Sequence, residues 1–322
     1  MELLEQKVKE GVEVRVLYDG LGSTIMSNRY YENYLNSKGI QTRIFLPLKP
    51  FISTQINNRD HRKIVIIDGQ VAFTGGLNIT NEYFNLEHKR FSYWKDNGIK
   101  ISGPAIKTLL SLFLQNWNLN NSKQDVFEQY LNIQIEEKKA KGEVIPYGDD
   151  AYNNVDIAED VYISILNNAQ KYVHITSPYI ILDNNLQNAI LYAVRRGIEV
   201  SIIVPQEADH LITSCIGKTY LRTLTKGGVK VYLYKKGFIH SKTFISDNET
   251  ATVGTINLDY RSLYHHFECG VVLHQLPVIQ EIESDFLQTL QDCSLMEIED
   301  YKKIPKGYRL IGRLFRIFAP LM

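Results

Sequence analysis

Short apolar runs alternate with longer segments of helical periodicity along most of the chain. Two such units are "KEGVEVRVLYDG" (9–20) and "RRGIEVSIIVPQ" (195–206), and two more are "SKGIQTRIF" (37–45) and "TKGGVKVYLY" (225–234). Each consists of a helix end, a glycine suited to the left-handed position after a helix, and a buried strand. Helices that alternate with β-rich runs predict an α/β fold with a largely parallel sheet.

These units occur twice in the same order, which predicts two copies of one α/β domain. We expect the first domain at 1–130, a polar linker at 131–150 and the second domain at 151–300, followed by a basic tail at 301–322. Each domain is predicted to be a mixed, mostly parallel sheet flanked by helices.

A third repeated strand carries candidate chemistry. "HRKIVIID" (61–68) and "HSKTFISD" (240–247) each begin with histidine, with lysine two residues later and aspartate seven residues later. Alternation along a strand places His61 and Lys63 on one face and Asp68 on the other.

Asp68-Gly69 predicts a hairpin, and a matching turn is expected near Asp247-Asn248. The returning strands carry glycine fourteen residues and asparagine seventeen residues after each histidine, so Asn78 and Asn257 come back beside His61 and His240. One such strand is compatible with a half-buried structural histidine. Two copies in the same register favour a functional site.

Composition narrows the class of protein. The chain has 322 residues, 44% of them apolar and 22% charged, which is typical of a folded protein, and its formal charge is zero. Overall charge therefore gives no reason to expect nucleic acid as a partner. The three cysteines lack CxxC spacing and are interpreted as structural, with no zinc site. No apolar run reaches the roughly 18 residues of a membrane span, and no signal peptide is evident.

The sequence resembles the phospholipase D superfamily, whose signature is HxKxxxxD followed by GxxN, present twice. The segments "GVEVRVLYDGLGS", "NNRDHRKIVIIDG", "FTGGLNI" and "GTINLDYRS" are most similar to bacterial cardiolipin synthases. The resemblance implies that both domains contribute to one active site at a pseudo-twofold interface.

It also implies roles for the repeated residues. His61 would attack phosphorus to form a phosphohistidine, while His240 would act as acid and base, although the two roles could be exchanged. The pair would need opposite protonation states near neutral pH. Four residues would hold the phosphate oxygens: Lys63, Lys242, Asn78 and Asn257. No metal or other cofactor is then expected.

Carboxylates complete the predicted site. Asp68 and Asp247 are interpreted as hairpin groups, although the family counts them with the catalytic residues. Asp96 and Glu268 each precede an apolar strand about thirty residues after their own domain's histidine, and we expect them to orient the histidines. The alternative is a solvated charge at a strand start. His265, His266 and the remaining histidines are expected to be structural or exposed.

The resemblance implies a cardiolipin synthase that joins two phosphatidylglycerols, releases glycerol, and works peripherally on a bacterial cell membrane. The tail supplies a membrane-binding candidate, with an apolar helical face from about Tyr308 and six basic residues: Lys302, Lys303, Lys306, Arg309, Arg313 and Arg316. The alternative is a last helix that packs on the core. Other functions left open are a phospholipase D, a phosphatidylserine synthase, a DNA phosphodiesterase and an inactive lipid-binding scaffold.

The two copies differ in length at their start. A helix, the strand "YVHITSPYI" and a further helix precede "RRGIEV" in the second copy, whereas only "MELLEQKVK" precedes "EGVEV" in the first. Related synthases supply the missing elements, usually after transmembrane helices. We therefore expect an N-terminally incomplete first domain, an unpaired sheet edge beside the His61 strand, low solubility and weak activity.

Overall fold

The computed structural model describes residues 1–22, 29–47, 57–88, 90–119, 128–136, 140–152, 154–207 and 209–321. The helices within these ranges are α1 Glu2–Lys9, α2 Arg29–Ser37, α3 Ile106–Asn118, α4 Glu128–Leu131, α5 Ile157–Asn168, α6 Asn184–Arg195, α7 Leu211–Lys226, α8 Tyr260–Tyr264, α9 Val278–Leu290, α10 Ile298–Lys303 and α11 Lys306–Phe315, followed by a 3₁₀ turn Arg316–Leu321.

Strands within the same ranges are short, and most are joined by hairpins or helices. They are β1 Arg15–Asp19, β2 Gln41–Phe45, β3 Ile64–Ile67, β4 Val71–Gly75, β5 Trp94–Lys95, β6 Gly98–Ser102, β7 Glu143–Asp149, β8 Tyr172–Thr176, β9 Ile180–Ile181, β10 Glu199–Pro205, β11 Lys230–Tyr234, β12 Phe238–Ile239, β13 Thr243–Ser246, β14 Thr250–Gly254, β15 Leu258–Asp259, β16 Glu268–His274 and β17 Cys293–Leu295.

The second half of the chain is built on an eight-stranded sheet with the order β17-β11-β10-β8-β13-β14-β16-β7. The sheet is mixed, as predicted, but the prediction of mostly parallel strands needs correction. Within this sheet, parallel pairing is confined to β10 and its neighbours β8 and β11. The pairs β13–β14, β13–β8, β14–β16, β16–β7 and β11–β17 are antiparallel.

The boundary between the halves also differs from the prediction. Residues 143–149 of the expected linker form β7, which pairs with the whole of β16 at the edge of the sheet. Pro146 is tolerated there because an edge strand has one side without ladder partners. The segment therefore belongs to the second half's sheet, although its polar composition resembles that of a linker.

Helices cover both faces of this sheet. On one face, α5, α6 and α7 bury a core that includes Val173, Ile202 and Phe244. On the other face, α9 packs on a core shared by the two halves, in which Ile101 and Leu109 of the first half lie with Ile245 of the second. The halves are thus held together by a common apolar core as well as by polar contacts.

The first half has strands that correspond to those of the second half, but they form two separate sheets. β1 and β2 pair in parallel and correspond to β10 and β11, while β3, β4 and β6 pair antiparallel and correspond to β13, β14 and β16. No strand in the described ranges occupies the place between β1 and β3 that β8 fills in the second half. The expected open edge beside the His61 strand is therefore present in the described part of the chain.

Exposure of β3 follows from this open edge. Val65 and Ile67 are 47% and 50% exposed, whereas their second-half counterparts Phe244 and Ser246 are buried. Phe244 stacks on Tyr162 of α5, with ring centroids 4.2 Å apart. Exposed apolar side chains on an unpaired strand favour association with other chains.

Equivalent substitutions in the two halves should therefore have opposite effects. Val65→Lys should lower the aggregated fraction with little change in the free energy of unfolding, because it removes an exposed apolar group. Phe244→Lys should unfold the second half, because it buries a charge and leaves a cavity, at a cost of several kcal/mol, on the order of 3–5. Light scattering and urea titration measure both effects. Similar behaviour of the two variants would contradict the inferred difference between the strands.

Candidate active site

Each histidine strand begins by pairing with a segment of the opposite half. Phe267 of the second half makes two backbone hydrogen bonds with the first half. Its N–H donates to the Arg59 carbonyl at 2.8 Å, and its carbonyl accepts from the His61 N–H at 2.9 Å. In the same way β12 pairs with β5, and the His240 N–H donates to the Lys95 carbonyl at 2.7 Å. Backbone hydrogen bonds thus cross between the halves twice, once beside each histidine.

This exchange brings each histidine to a carboxylate of the other half. His61 Nδ1 lies 2.9 Å from Glu268 Oε1 and 3.0 Å from Oε2, and His240 Nδ1 lies 2.6 Å from Asp96 Oδ2. The sequence indicated both carboxylates, but it associated each with the histidine of its own domain. The crossed pairing arises because the carboxylate follows the segment that crosses to the opposite half.

The repeated glycines allow this close approach. A Cβ on Gly75 would lie 2.4 Å from the Asn97 carbonyl oxygen, and one on Gly254 would lie 2.5 Å from that of Cys269. A Cβ on Gly76 would lie 2.3 Å from the Asp96 carboxylate. Such distances are shorter than van der Waals contact, so a side chain here would push the carboxylate-bearing strand away.

Both histidines are neutral in the protein without substrate. Burial lowers the pKa of His61 to about 3 despite the attraction of Glu268. Burial also lowers the pKa of His240 to about 4, and Lys242 adds to the effect. With the Nδ1 proton donated to a carboxylate, each Nε2 carries a lone pair. The opposite protonation states that the resemblance implied are therefore not a property of the substrate-free site.

The lysines make the same contact in both copies. Each Nζ donates to the backbone carbonyl of its own histidine, from Lys63 to His61 and from Lys242 to His240. Burial lowers the pKa of Lys242 to about 7, with Asp96 opposing the shift and Lys63 reinforcing it. Since Lys63 also lowers the pKa of His240, the polar groups of both halves belong to one electrostatic unit.

The asparagines are placed differently from each other. Asn257 is buried, and its Oδ1 has no hydrogen-bond partner among the described residues. Asn78 is half-buried and interacts with the Tyr83 hydroxyl, whose ring lies 5.7 Å from that of His240. A buried amide oxygen without a partner carries a desolvation cost that a bound donor can remove.

Asp68 and Asp247 lie at the far ends of their strands, at the tips of the predicted hairpins. Both hairpins are present, and Asp68, Gly69, Asp247 and Asn248 all have positive φ. Asp247 accepts hydrogen bonds from the N–H groups of Gln170, Lys171 and Tyr172 at the start of β8. Burial alone would raise the pKa of Asp247, but these N–H groups hold it below its ordinary value.

Asp68 is exposed, and no strand in the described ranges lies where β8 lies beside Asp247. This position supports the interpretation of both aspartates as hairpin groups. It does not support counting them with the residues that touch the reacting atoms.

His266 is a residue of the site that the sequence interpretation missed. Its ring centroid lies 5.5 Å from that of His61, and its Nδ1 lies 3.6 Å from Glu268 Oε1. The only signal in the sequence was its place two residues before the orienting carboxylate. In contrast, His174 bonds Glu283 at 2.9 Å and stacks on Phe286, as expected of a structural histidine.

The tail forms a docked helix whose apolar side faces outward. α11 starts at Lys306, two residues before the predicted start, and packs on α7 through Gly312, where a Cβ would lie 2.2 Å from the Cys215 carbonyl oxygen. Arg316 stacks on Tyr220 at 3.9 Å. The exposed apolar residues of the tail are Tyr308, Leu310, Ile311, Leu314, Phe315, Ile317 and Phe318. A helix that only completes the core would bury this side.

Among the described helices, none combines the length and apolar character required to cross a bilayer.

Comparison with known proteins agrees with this architecture. The family model described as "Cardiolipin synthase, PLD-like domain" matches residues 1–117 and 162–290. An uncharacterized protein of Streptococcus mutans is 42% identical over 100% of this chain and 69% of its own length. The cardiolipin synthase of Geobacillus kaustophilus is 35% identical over 99% of this chain, which spans 64% of that protein.

Among solved structures, phosphatidylserine synthase from Haemophilus influenzae superposes with a TM-score of 0.70 at 17% identity. The match covers 96% of this chain and 83% of that one. At this identity the comparison shows the shared fold: two repeated α/β halves with helices on a mixed sheet.

The lowered histidine pKa values predict how stability depends on pH. The unfolded histidines titrate near 6.5 and the folded ones near 3 and 4, so the unfolded chain binds more protons below pH 6.5. Stability is therefore full above pH 6.5 and should fall as the pH is lowered to 4.5, with each histidine contributing at most about 1.4 kcal/mol per pH unit. Urea titrations of the wild type and of His61→Asn/His240→Asn measure this slope. An unchanged slope in the double variant would contradict the assignment.

Proposed function

Because the chain belongs to the cardiolipin synthase family of phospholipase D-like proteins, we propose that it transfers a phosphatidyl group from one phosphatidylglycerol to another. The observation that carries the proposal is the crossed pair of histidine–carboxylate contacts, His61 with Glu268 and His240 with Asp96. Two oriented imidazoles with free Nε2 atoms are what a double displacement at a phosphodiester needs.

In the first step His61 Nε2 attacks phosphorus and forms a P–N bond while the P–O bond to glycerol breaks. His240 Nε2 gives its proton to the departing oxygen. We assign the attack to His61 because its side chain is 24% exposed, against 6% for His240, and a nucleophile must reach the phosphorus. Glu268 stabilises the positive charge that develops on the attacking ring.

In the second step the hydroxyl of another phosphatidylglycerol loses its proton to His240 and attacks the same phosphorus. The P–N bond breaks, and His61 returns to its neutral form. His240 is neutral without substrate, so it must gain its first proton together with the anionic lipid, whose charge favours the imidazolium. The bound phosphodiester also favours the charged form of Lys242 for the same reason.

Lys63 and Lys242 supply positive charge for the non-bridging oxygens, and Asn78 and Asn257 supply neutral donors. The Nδ2 group of Asn257 carries the N–H donors for this role, while its Oδ1, which has no partner among the described residues, can accept a hydrogen bond from a lipid hydroxyl. Asp96 and Glu268 act through the histidines as positioning residues.

The tail provides the contact with the lipid surface. Its outward apolar residues would insert at the interface, and Lys306 and Arg313 on the same helix would attract anionic headgroups. We therefore propose peripheral binding to a bacterial cell membrane, with the described part of the tail as the contact.

The direct test is to mix the purified chain with phosphatidylglycerol vesicles and to resolve the products. Cardiolipin and glycerol in equal amounts would support transfer. Phosphatidic acid would identify a phospholipase D instead, and the appearance of phosphatidylserine on addition of serine would identify a phosphatidylserine synthase. No product from a folded, vesicle-bound chain would leave a lipid-binding scaffold as the function.

Single histidine variants should separate the two roles. His61→Ala and His240→Ala should each lower transfer on the order of 10³-fold or more, because each removes one half of the exchange. Only His240→Ala should still form a covalent adduct with labelled lipid, detected on the denatured protein. His88→Ala, outside the site, is the matched control. An adduct in His61→Ala but not in His240→Ala would reverse the assignment.

Replacing Leu310, Leu314 and Phe318 of the tail by serine should weaken binding to phosphatidylglycerol vesicles by about tenfold or more, since apolar insertion is lost while Gly312 still docks the helix. Flotation of the protein with vesicles measures the effect. Tyr192→Ser, on the exposed side of α6, is the control. Turnover of detergent-dispersed lipid should change less. Unchanged vesicle binding by the triple variant at low salt would eliminate the interfacial role.

A further inference from the structure

His266 occupies a position that the repeat makes directly comparable between the halves. Gly270 pairs with Gly254 in the second half, and Gly98 pairs with Gly75 in the first. His266 lies four residues before Gly270 and Trp94 four residues before Gly98, so the two occupy equivalent positions. The ring centroid of Trp94 lies 5.5 Å from that of His240, just as His266 lies 5.5 Å from His61. His240 therefore lies beside an indole, whereas His61 lies beside a second imidazole.

The polar atoms around His61 converge on one point. His61 Nδ1 lies 2.9 Å and His266 Nδ1 3.6 Å from Glu268 Oε1, and the three ligand atoms are all within 4.8 Å of one another. Ligands of a tetrahedral ion at about 2.0 Å lie about 3.3 Å apart, so small side-chain shifts satisfy the geometry. His266 Nδ1 is buried and has no hydrogen-bond partner among the described residues.

Glu268 is held ready for this role. The Thr255 hydroxyl donates to Oε2, which leaves Oε1 facing the two imidazoles. The side chain of His61 is partly exposed, so an ion can reach the three side chains from solvent.

We propose that His61, His266 and Glu268 form a binding site for Zn²⁺ and that the bound ion inhibits the nucleophile. Two imidazole nitrogens and one carboxylate oxygen are a donor set that Zn²⁺ prefers, with a water in the fourth position. The binding itself depends only on these three side chains. The inhibition rests on the function proposed above.

The inhibition follows from which nitrogen of the His61 imidazole carries the proton. Zn²⁺ takes the lone pair of His61 Nδ1, so the proton that Nδ1 donates to Glu268 moves to Nε2. Nε2 then has no lone pair with which to attack phosphorus, and no P–N bond can form. The ion and the active tautomer therefore exclude each other, and no proton is released by this exchange.

The first half provides an internal contrast. Its Asp96 and Trp94 form the corresponding set with His240 of the second half, and an indole offers no lone pair to a metal. Among the described residues, the structure thus predicts one Zn²⁺ site, at His61, although the histidine–carboxylate pair occurs twice.

Calorimetry with Zn²⁺ and absorption spectroscopy with Co²⁺, on the 322-residue chain without a histidine tag, test the site. Wild type should bind one ion and show the intense visible bands of four-coordinate Co²⁺. His266→Asn should bind at least about 100-fold more weakly, and His265→Asn should bind like wild type. His266→Trp, which copies the first half, serves as a second variant if asparagine disturbs the fold. Wild-type affinity in a folded His266 variant would overturn the proposal, as would a six-coordinate Co²⁺ spectrum.

Transfer assays with and without Zn²⁺ separate this inference from the proposed function. Zn²⁺ should inhibit wild type and His265→Asn, while the ratio of rates with and without Zn²⁺ in His266→Asn should stay near one. Specific Zn²⁺ binding by a chain that makes no cardiolipin would refute the function and leave the site. Cardiolipin formation that Zn²⁺ does not affect, in a chain that does not bind the ion, would refute the site and leave the function.

Discussion

Each histidine depends on a carboxylate that the other half provides, and the rest of the structure serves this exchange. Glu268 is fully buried, and a buried carboxylate without partners would be very costly. Thr255 of the same half donates to one of its oxygens, but the hydrogen bond with His61 forms only when the halves are docked. The backbone bridge through Phe267 and the close approach at Gly254 both position the strand that carries it. Docking of the halves and formation of the site are therefore one event.

The two halves have equivalent backbones, but their two active-site histidines have different neighbouring side chains. His240 lies among the rings of Tyr83, Trp94 and Phe238, whereas His61 lies beside another imidazole and is more open. Burial lowers the pKa of both histidines, so both start neutral. In the proposed mechanism, the difference between nucleophile and acid then arises when an anionic lipid binds. A repeated fold has in this way supplied two similar groups, and a few neighbouring side chains distinguish them.

In the described part of the chain, the motif occurs once with a covering strand, at β13, and once without one, at β3. Asp247 binds the N–H groups that begin β8, and Phe244 is covered by α5, whereas Asp68 and Val65 remain exposed. In the second half, the aspartate at the end of the motif thus holds the start of the neighbouring strand β8. In this chain the His61 strand is supported mainly by β4, by the shared core and by the crossing at Phe267, so the second half stabilises the first.

Much of the fold and site could be predicted from local sequence. Glycine-ended helices, apolar runs and the Asp68-Gly69 turn indicated the repeat, because helix caps, strand burial and hairpin turns depend on neighbouring residues. The spacing of His61, Lys63 and Asn78, repeated from His240, likewise indicated the candidate site. Only the tertiary structure decided that Glu268 serves His61, that His266 joins them, and that residues 143–149 are an edge strand. These facts depend on contacts between residues far apart in the chain, and no local pattern specifies which half a side chain will face after docking.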